Sequence, residues 1–128
     1  MKADIAGTQR KTVRSEVRPA RGAYDEKGIR LRKGTSRPFT VARSWSAPAG
    51  HYQEAWYLVD PSTREVLFEG PTRDVLILGL QALTEITDTV TVPIALRPGS
   101  YEFVFALGGL KGGELTVEAA EVTADAAA

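Results

Sequence analysis

The sequence predicts an antiparallel, all-β sandwich, and three observations carry that expectation. First, Tyr52, Glu54, Trp56 and Leu58 alternate with Gln53, Ala55, Tyr57 and Val59, the period-two pattern of a strand with bulk on both faces. Second, about eight such stretches recur at intervals of roughly 8 to 12 residues with turn residues between them. Third, two Trp, four Tyr and four Phe supply enough bulk for one core, and at 128 residues the chain has room for one domain.

Residues 1–26 read as an extended basic arm. They contain few large apolar side chains, chiefly Ile5, Val13, Val17 and Tyr24, and no helical period. Val13, Ser15 and Val17 alternate with Arg14, Glu16 and Arg18, so a short strand can form where something pairs with it, ending at Pro19. The sandwich itself is expected over 27–123, with a frayed tail at 124–128.

Ile29 to Arg32 is a short, charged strand of the kind that sits at an edge. Phe39 to Ser46 sets Phe39, Val41, Arg43 and Trp45 on one side, and Ala47-Pro48-Ala49-Gly50 turns the chain into the Tyr52 strand. Asp60-Pro61-Ser62-Thr63-Arg64 supplies turn chemistry, because proline presets the first corner and the Asp and Ser oxygens accept local N–H bonds. Glu65 to Glu69 then returns as the second strand of a hairpin.

The run from Val75 to Leu80, continuing to Leu83, suits a buried strand better than a helical turn capped by Asp74. Thr87 to Leu96 is strand-like, with Pro93 marking an edge or a bulge. Arg97-Pro98-Gly99-Ser100 places Pro and Gly where a type II corner wants them. Tyr101, Phe103, Phe105 and Leu107 share one face of the next strand. Gly108 to Gly113 reads as a flexible loop, and Glu114 to Val122 as the last strand.

Composition narrows the chemistry. Cysteine is absent, which excludes disulfides and thiolate metal sites. His51 is the only histidine and is expected in an exposed loop, so no metal and no cofactor are anticipated. No nucleophile elbow or phosphate-binding loop motif occurs. Gly108 to Gly113 joins two strands rather than opening a helix. Glu54 and Glu102 have the chemistry of a glycosidase pair, but solvated strand faces explain them more simply. The expectation is therefore a protein without catalytic residues and without a small-molecule substrate.

Charge is distributed unevenly. Residues 1–34 carry ten Lys or Arg against four acids, while the rest carries six against twelve, so a basic segment is joined to an acidic body. That asymmetry speaks to partners. Arg10, Lys11, Arg14, Arg18 and Arg21 are the candidate partner-binding residues, either lying on an acidic protein surface or neutralising phosphates of nucleic acid. Against the second stands a shortage of aromatic stacking platforms in the arm. Tyr52, Trp56 and Tyr57 are candidate surface aromatics for a carbohydrate or protein partner if exposed together, although such residues are more often core.

The segment from Leu96 through Ala106 resembles the fibronectin type III and wider immunoglobulin-like pattern at the turn into its penultimate strand. Phe39 through Pro48 is similar to that family's second strand. The resemblance covers about residues 28–122 and implies an immunoglobulin-like sandwich. In it Tyr101 would be the tyrosine-corner residue bonding back to upstream backbone, Trp45 a core residue, and Pro98 and Gly99 the corner. It implies a binding or structural scaffold rather than a chemistry.

The expected function is a non-enzymatic structural protein that joins or decorates a larger protein assembly through its arm, by self-association or with another protein. In type, though not by motif, it is similar to the decoration proteins of virus particles. A nucleic-acid-associated protein and a carbohydrate-binding module are the alternatives. No secretion signal and no membrane-spanning run are evident, so a cytoplasmic or virion location is expected.

Overall fold

A computed structural model describes residues 11–22 and 26–122. Its ten strands are β1 (Thr12–Pro19), β2 (Ile29–Arg32), β3 (Thr35–Ser36), β4 (Phe39–Ser46), β5 (Gly50–Val59), β6 (Val66–Glu69), β7 (Arg73–Ile77), β8 (Thr84–Val90), β9 (Gly99–Leu107) and β10 (Leu110–Glu121). No helix among the described residues is long and apolar enough to cross a membrane.

The strands form two sheets. The smaller has the order β1-β4-β8, and the larger β3-β2-β10-β9-β5-β6, with β7 also pairing β5. Their apolar faces meet across a shared core. From β4 come Phe39, Val41 and Trp45, and from β5 and β9 come Trp56, Leu58, Phe103, Phe105 and Leu107, all buried. The ring of Phe39 meets Phe103 edge-on at 6.1 Å, and Trp56 lies 5.6 Å from the same Phe103 and 5.8 Å from Phe68. Aromatic pairs at such spacings add to the area they bury.

β1 changes the reading of the arm. Thr12 to Pro19 pairs antiparallel with Ser46 to Phe39 over eight residues, and Val17 and Pro19 are buried. Thr12 to Pro19, read from sequence as part of the arm, therefore belongs to the smaller sheet. The physical reason is cross-strand: Val13, Val17 and Pro19 are opposite Trp45, Val41 and Phe39, so the large apolar residues of β4 cover a strand too weak to form alone. Residues 1–10 and 123–128, with Arg10 and the tail, lie outside the described residues.

The larger sheet is not wholly antiparallel, because β2 runs parallel to β10 through Ile29, Arg30 and Leu31 opposite Ala119, Ala120 and Glu121. The chain passes from β1 in one sheet to β2 in the other through Gly28, whose N–H bonds Val17 O at 2.8 Å. With φ at 92° and Glu118 O only 2.5 Å from where a Cβ would stand, glycine is required for that crossing.

Three other boundaries differ from expectation. The segment read as a six-residue glycine loop is a two-residue turn, since Gly108 and Gly109 have φ of 65° and 82° and Leu107 already pairs Leu110. Two consecutive left-handed residues suit the twist of a tight hairpin. β7 starts earlier and stops at Ile77, which leaves Leu78 to Leu83 in the connection to β8. Pro93 lies past the end of β8, although Ile94 and Leu96 beyond it are buried.

Candidate functional site

Alternation along β4 and β5 points a cation and an anion into the core. Arg43 follows Phe39 and Val41 on the inward side, and Glu54 precedes Trp56 and Leu58. Both side chains are fully buried. Arg43 Nε donates to Glu54 Oε2 at 2.7 Å and Nη2 to Oε1 at 2.5 Å, a bidentate fork that matches guanidinium to carboxylate geometry. Nη1 donates to Val41 O at 2.9 Å and lies 3.0 Å from Asp88 Oδ2. The Trp45 indole N–H donates to Glu54 Oε2 at 2.7 Å, and that of Trp56 to Asp88 Oδ2 at 2.9 Å. Arg73 reaches Asp88 Oδ1 at 2.5 Å from the rim.

Two cations, two carboxylates and two indoles thus satisfy one another across the sheets. Burial pushes the Asp88 carboxyl up, but the Trp56 hydrogen bond and the charges of Arg43 and Arg73 outweigh it and hold the group below the ordinary Asp range. A network whose members are mutually occupied ties β4, β5, β7 and β8 together. It offers Glu54 no opening toward substrate.

Glu102 is on the opposite face of the larger sheet, where Arg64 bonds it at 2.5 Å. Glu54 and Glu102 therefore do not form a carboxylate pair across a groove. Among the described residues no cluster of His, Asp or Glu is arranged to hold a metal ion. His51 is exposed at the start of β5.

The candidate surface aromatics are not brought together. Trp56 is fully buried, which corrects its place among surface residues: its inward position on a central strand puts it in the core. Tyr52, half-buried on the same side, donates its hydroxyl to Pro48 O at 2.6 Å, while Tyr57 is half-buried on the other face. Of the basic candidates, the Lys11 ammonium is 5.4 Å from the centre of the Tyr52 ring, within cation–π range. Arg14 is exposed on the outer face of β1, and Arg18 pairs Glu16 at 3.2 Å. Arg21 is exposed beyond the strand.

Of the residues named for structure, Trp45 is fully buried. The Tyr101 hydroxyl donates to Arg97 O at 2.8 Å and accepts from Arg97 N–H at 3.1 Å. Pro98 and Gly99 are exposed at that corner.

Two surface features remain. A cleft of about 420 Å³ between β1 and β10 has Val17, Leu115 and Val117 in its lining and the Glu16–Lys27 ion pair beside them. Hydrogen bonding from Lys27 is the main cause that holds the Glu16 carboxyl below its usual range, against a partial rise from burial. The second feature is a run of exposed leucines from β7 into its connection: Leu76 at 52%, Leu78 at 67%, Leu80 at 44% and Leu83 at 56%. Sequence reasoning missed this run because consecutive apolar residues read as core. Arg43 and Asp88 were missed too, though an arginine between Val41 and Trp45 in an inward register is a visible signal of a buried partner.

No family model matches the sequence, and no curated protein matches it. Among solved structures, the alkylpurine DNA glycosylase AlkC of Pseudomonas fluorescens, bound to DNA containing an abasic site analog, superposes with a TM-score of 0.53 at 15% identity. That match covers 87% of this chain and 30% of the glycosylase chain. A mutant β-glucosidase of Listeria innocua in complex with laminaribiose gives 0.52 at 13% identity, covering 85% of this chain and 16% of that one. The chain thus spans less than a third of either protein, and at these identities the likeness is one of fold alone.

Proposed function

We propose that the chain is a non-enzymatic, immunoglobulin-like β-sandwich that joins or decorates a larger protein assembly, with its basic N-terminal segment as one of the contacts. Support for the fold name comes from the grouping of β1, β4 and β8 against β10, β9, β5 and β6, and from the Tyr101 hydroxyl bonded back to Arg97. Such a scaffold acts through its surface.

The observation that carries the functional reading is where the leucines lie. Ser46 pairs Thr12 and donates its hydroxyl to Leu80 O at 3.0 Å, so the segment that precedes Lys11 joins the body beside the exposed leucine run. Exposed leucines near the start of β1, together with the basic residues of the N-terminal sequence, fit a protein surface with an apolar centre and an acidic rim. The buried ionic network, by contrast, is occupied with holding the sheets together.

The test is the light-scattering mass of the full chain and of a chain beginning at Lys11, with absorbance at 260 nm across each peak. The cut falls at Lys11 because removal through residue 26 would strip β1 from its sheet. Loss of mass in the shorter chain, without nucleic acid in either peak, supports assembly through the segment. Equal masses contradict it, and excess 260 nm absorbance confined to the full chain favours a nucleic-acid tether instead.

A further inference from the structure

The edges of the two sheets are not equally protected. β1 carries Arg14, Glu16, Arg18 and Pro19 along its length. β8 carries Glu85 and Asp88, with Pro93 shortly after it, and β6 is bracketed by Glu65 and Glu69. β3 is only two residues long. Charges, proline and shortness are the usual guards against edge-to-edge pairing.

β7 lacks them over its second half. After Arg73 and Asp74 the sequence runs Val75-Leu76-Ile77-Leu78 without a charge, and among the described residues β7 pairs only with β5. Val75 and Ile77 point into the core and are buried, while Leu76 and Leu78 are exposed. The strand thus presents an unpaired backbone edge and an apolar row on one side of it.

We infer that this edge is a self-association site, at which β7 of one copy pairs antiparallel with β7 of a second copy about a twofold axis. A register with Ile77 opposite Ile77 sets Leu76 of each copy against Leu78 of the other, since side chains directly opposite share a face. Four leucines then close over one another, and the pairing stays within residues 76–78, because Gly79 has φ of 127° and a turn begins at Leu80. The second copy is favoured as occupant because the contact is self-complementary. Leu76 and Leu78 together leave the equivalent of about one whole leucine in water per copy, which is the apolar centre of a small symmetric interface. Backbone pairing supplies its polar part.

This inference rests on the assembly reading, for which it names one partner, but it uses a different element from the N-terminal segment. The experiment therefore crosses the two. Light-scattering mass is measured for the full chain and for the chain beginning at Lys11, each with and without Leu76→Glu plus Leu78→Glu. The expected result is a dimer for the Lys11 chain that drops to a single copy on the double substitution, with the circular dichroism of the β-sheet unchanged. If the double variant misfolds, Leu78→Lys alone, at the most exposed of the four leucines, is expected to weaken the dimer at least about tenfold. A monomeric Lys11 chain, or a dimer indifferent to both substitutions, overturns the inference. If the Lys11 chain is a monomer while the full chain associates, the β7 dimer fails and the N-terminal reading stands. Dimers of equal mass for both chains that the double substitution separates reject the segment and keep β7.

Discussion

Arg43 and Glu54 occupy inward positions that would ordinarily hold aliphatic side chains, and their mutual fork makes those positions tolerable. Taking away one partner leaves the other charged and buried, so Arg43→Ala is expected to destabilise the fold by about 3 to 5 kcal/mol in urea denaturation. Replacing both, with Arg43→Met and Glu54→Leu, is expected to cost less than either single change, because no buried charge is stranded. Asp88 adds a pH signature. Its carboxyl is depressed in the folded state, so its contribution is complete above the unfolded Asp value and is lost as pH falls through the folded one. Asp88→Asn should therefore flatten the acid limb of a stability-against-pH curve below about pH 4, leaving its shape near neutrality unchanged. At the other end of the core, Tyr101→Phe removes two hydrogen bonds to Arg97 and is expected to cost about 1 to 2 kcal/mol.

At the scale of elements, the legibility of each strand followed its dependence on neighbours. β4 was readable to its ends, because Phe39, Val41 and Trp45 impose the alternation unaided. β1 reads from sequence as an arm with only a conditional strand, because Val13, Ser15 and Val17 are too small to declare a buried face until β4 lies beside them. Glycine misled in the opposite sense. Only Gly108 and Gly109 make the turn, while Gly112 and Gly113 lie within β10, where a Cβ would stand 2.5 Å from the Trp45 ring and 2.6 Å from Val13. The crossing at Gly28 is the most stringent of these positions. Gly28→Ala is expected to lower stability by more than about 1 kcal/mol in thermal or urea melts, since it adds a backbone clash to an unfavourable φ. The candidate site was the least legible, because buried and exposed leucines look alike in sequence. Leu76 is exposed because it faces outward on β7, and Leu78, Leu80 and Leu83 because β7 ends at Ile77.

Considered whole, the molecule buries and pairs Arg43, Glu54 and Asp88 in its core and leaves the leucines from Leu76 to Leu83 exposed near the start of β1. That division underlies the proposal that the molecule acts through its surface. Backbone amide exchange of the full chain, followed at low and at high protein concentration, tests this most directly, because an interface registers as protection gained on association. Slower exchange confined to Arg73 through Leu83 and to the residues preceding Lys11 at the higher concentration is the expected result. Exchange that is independent of concentration throughout, or protection gained only around the cleft between β1 and β10, would contradict it.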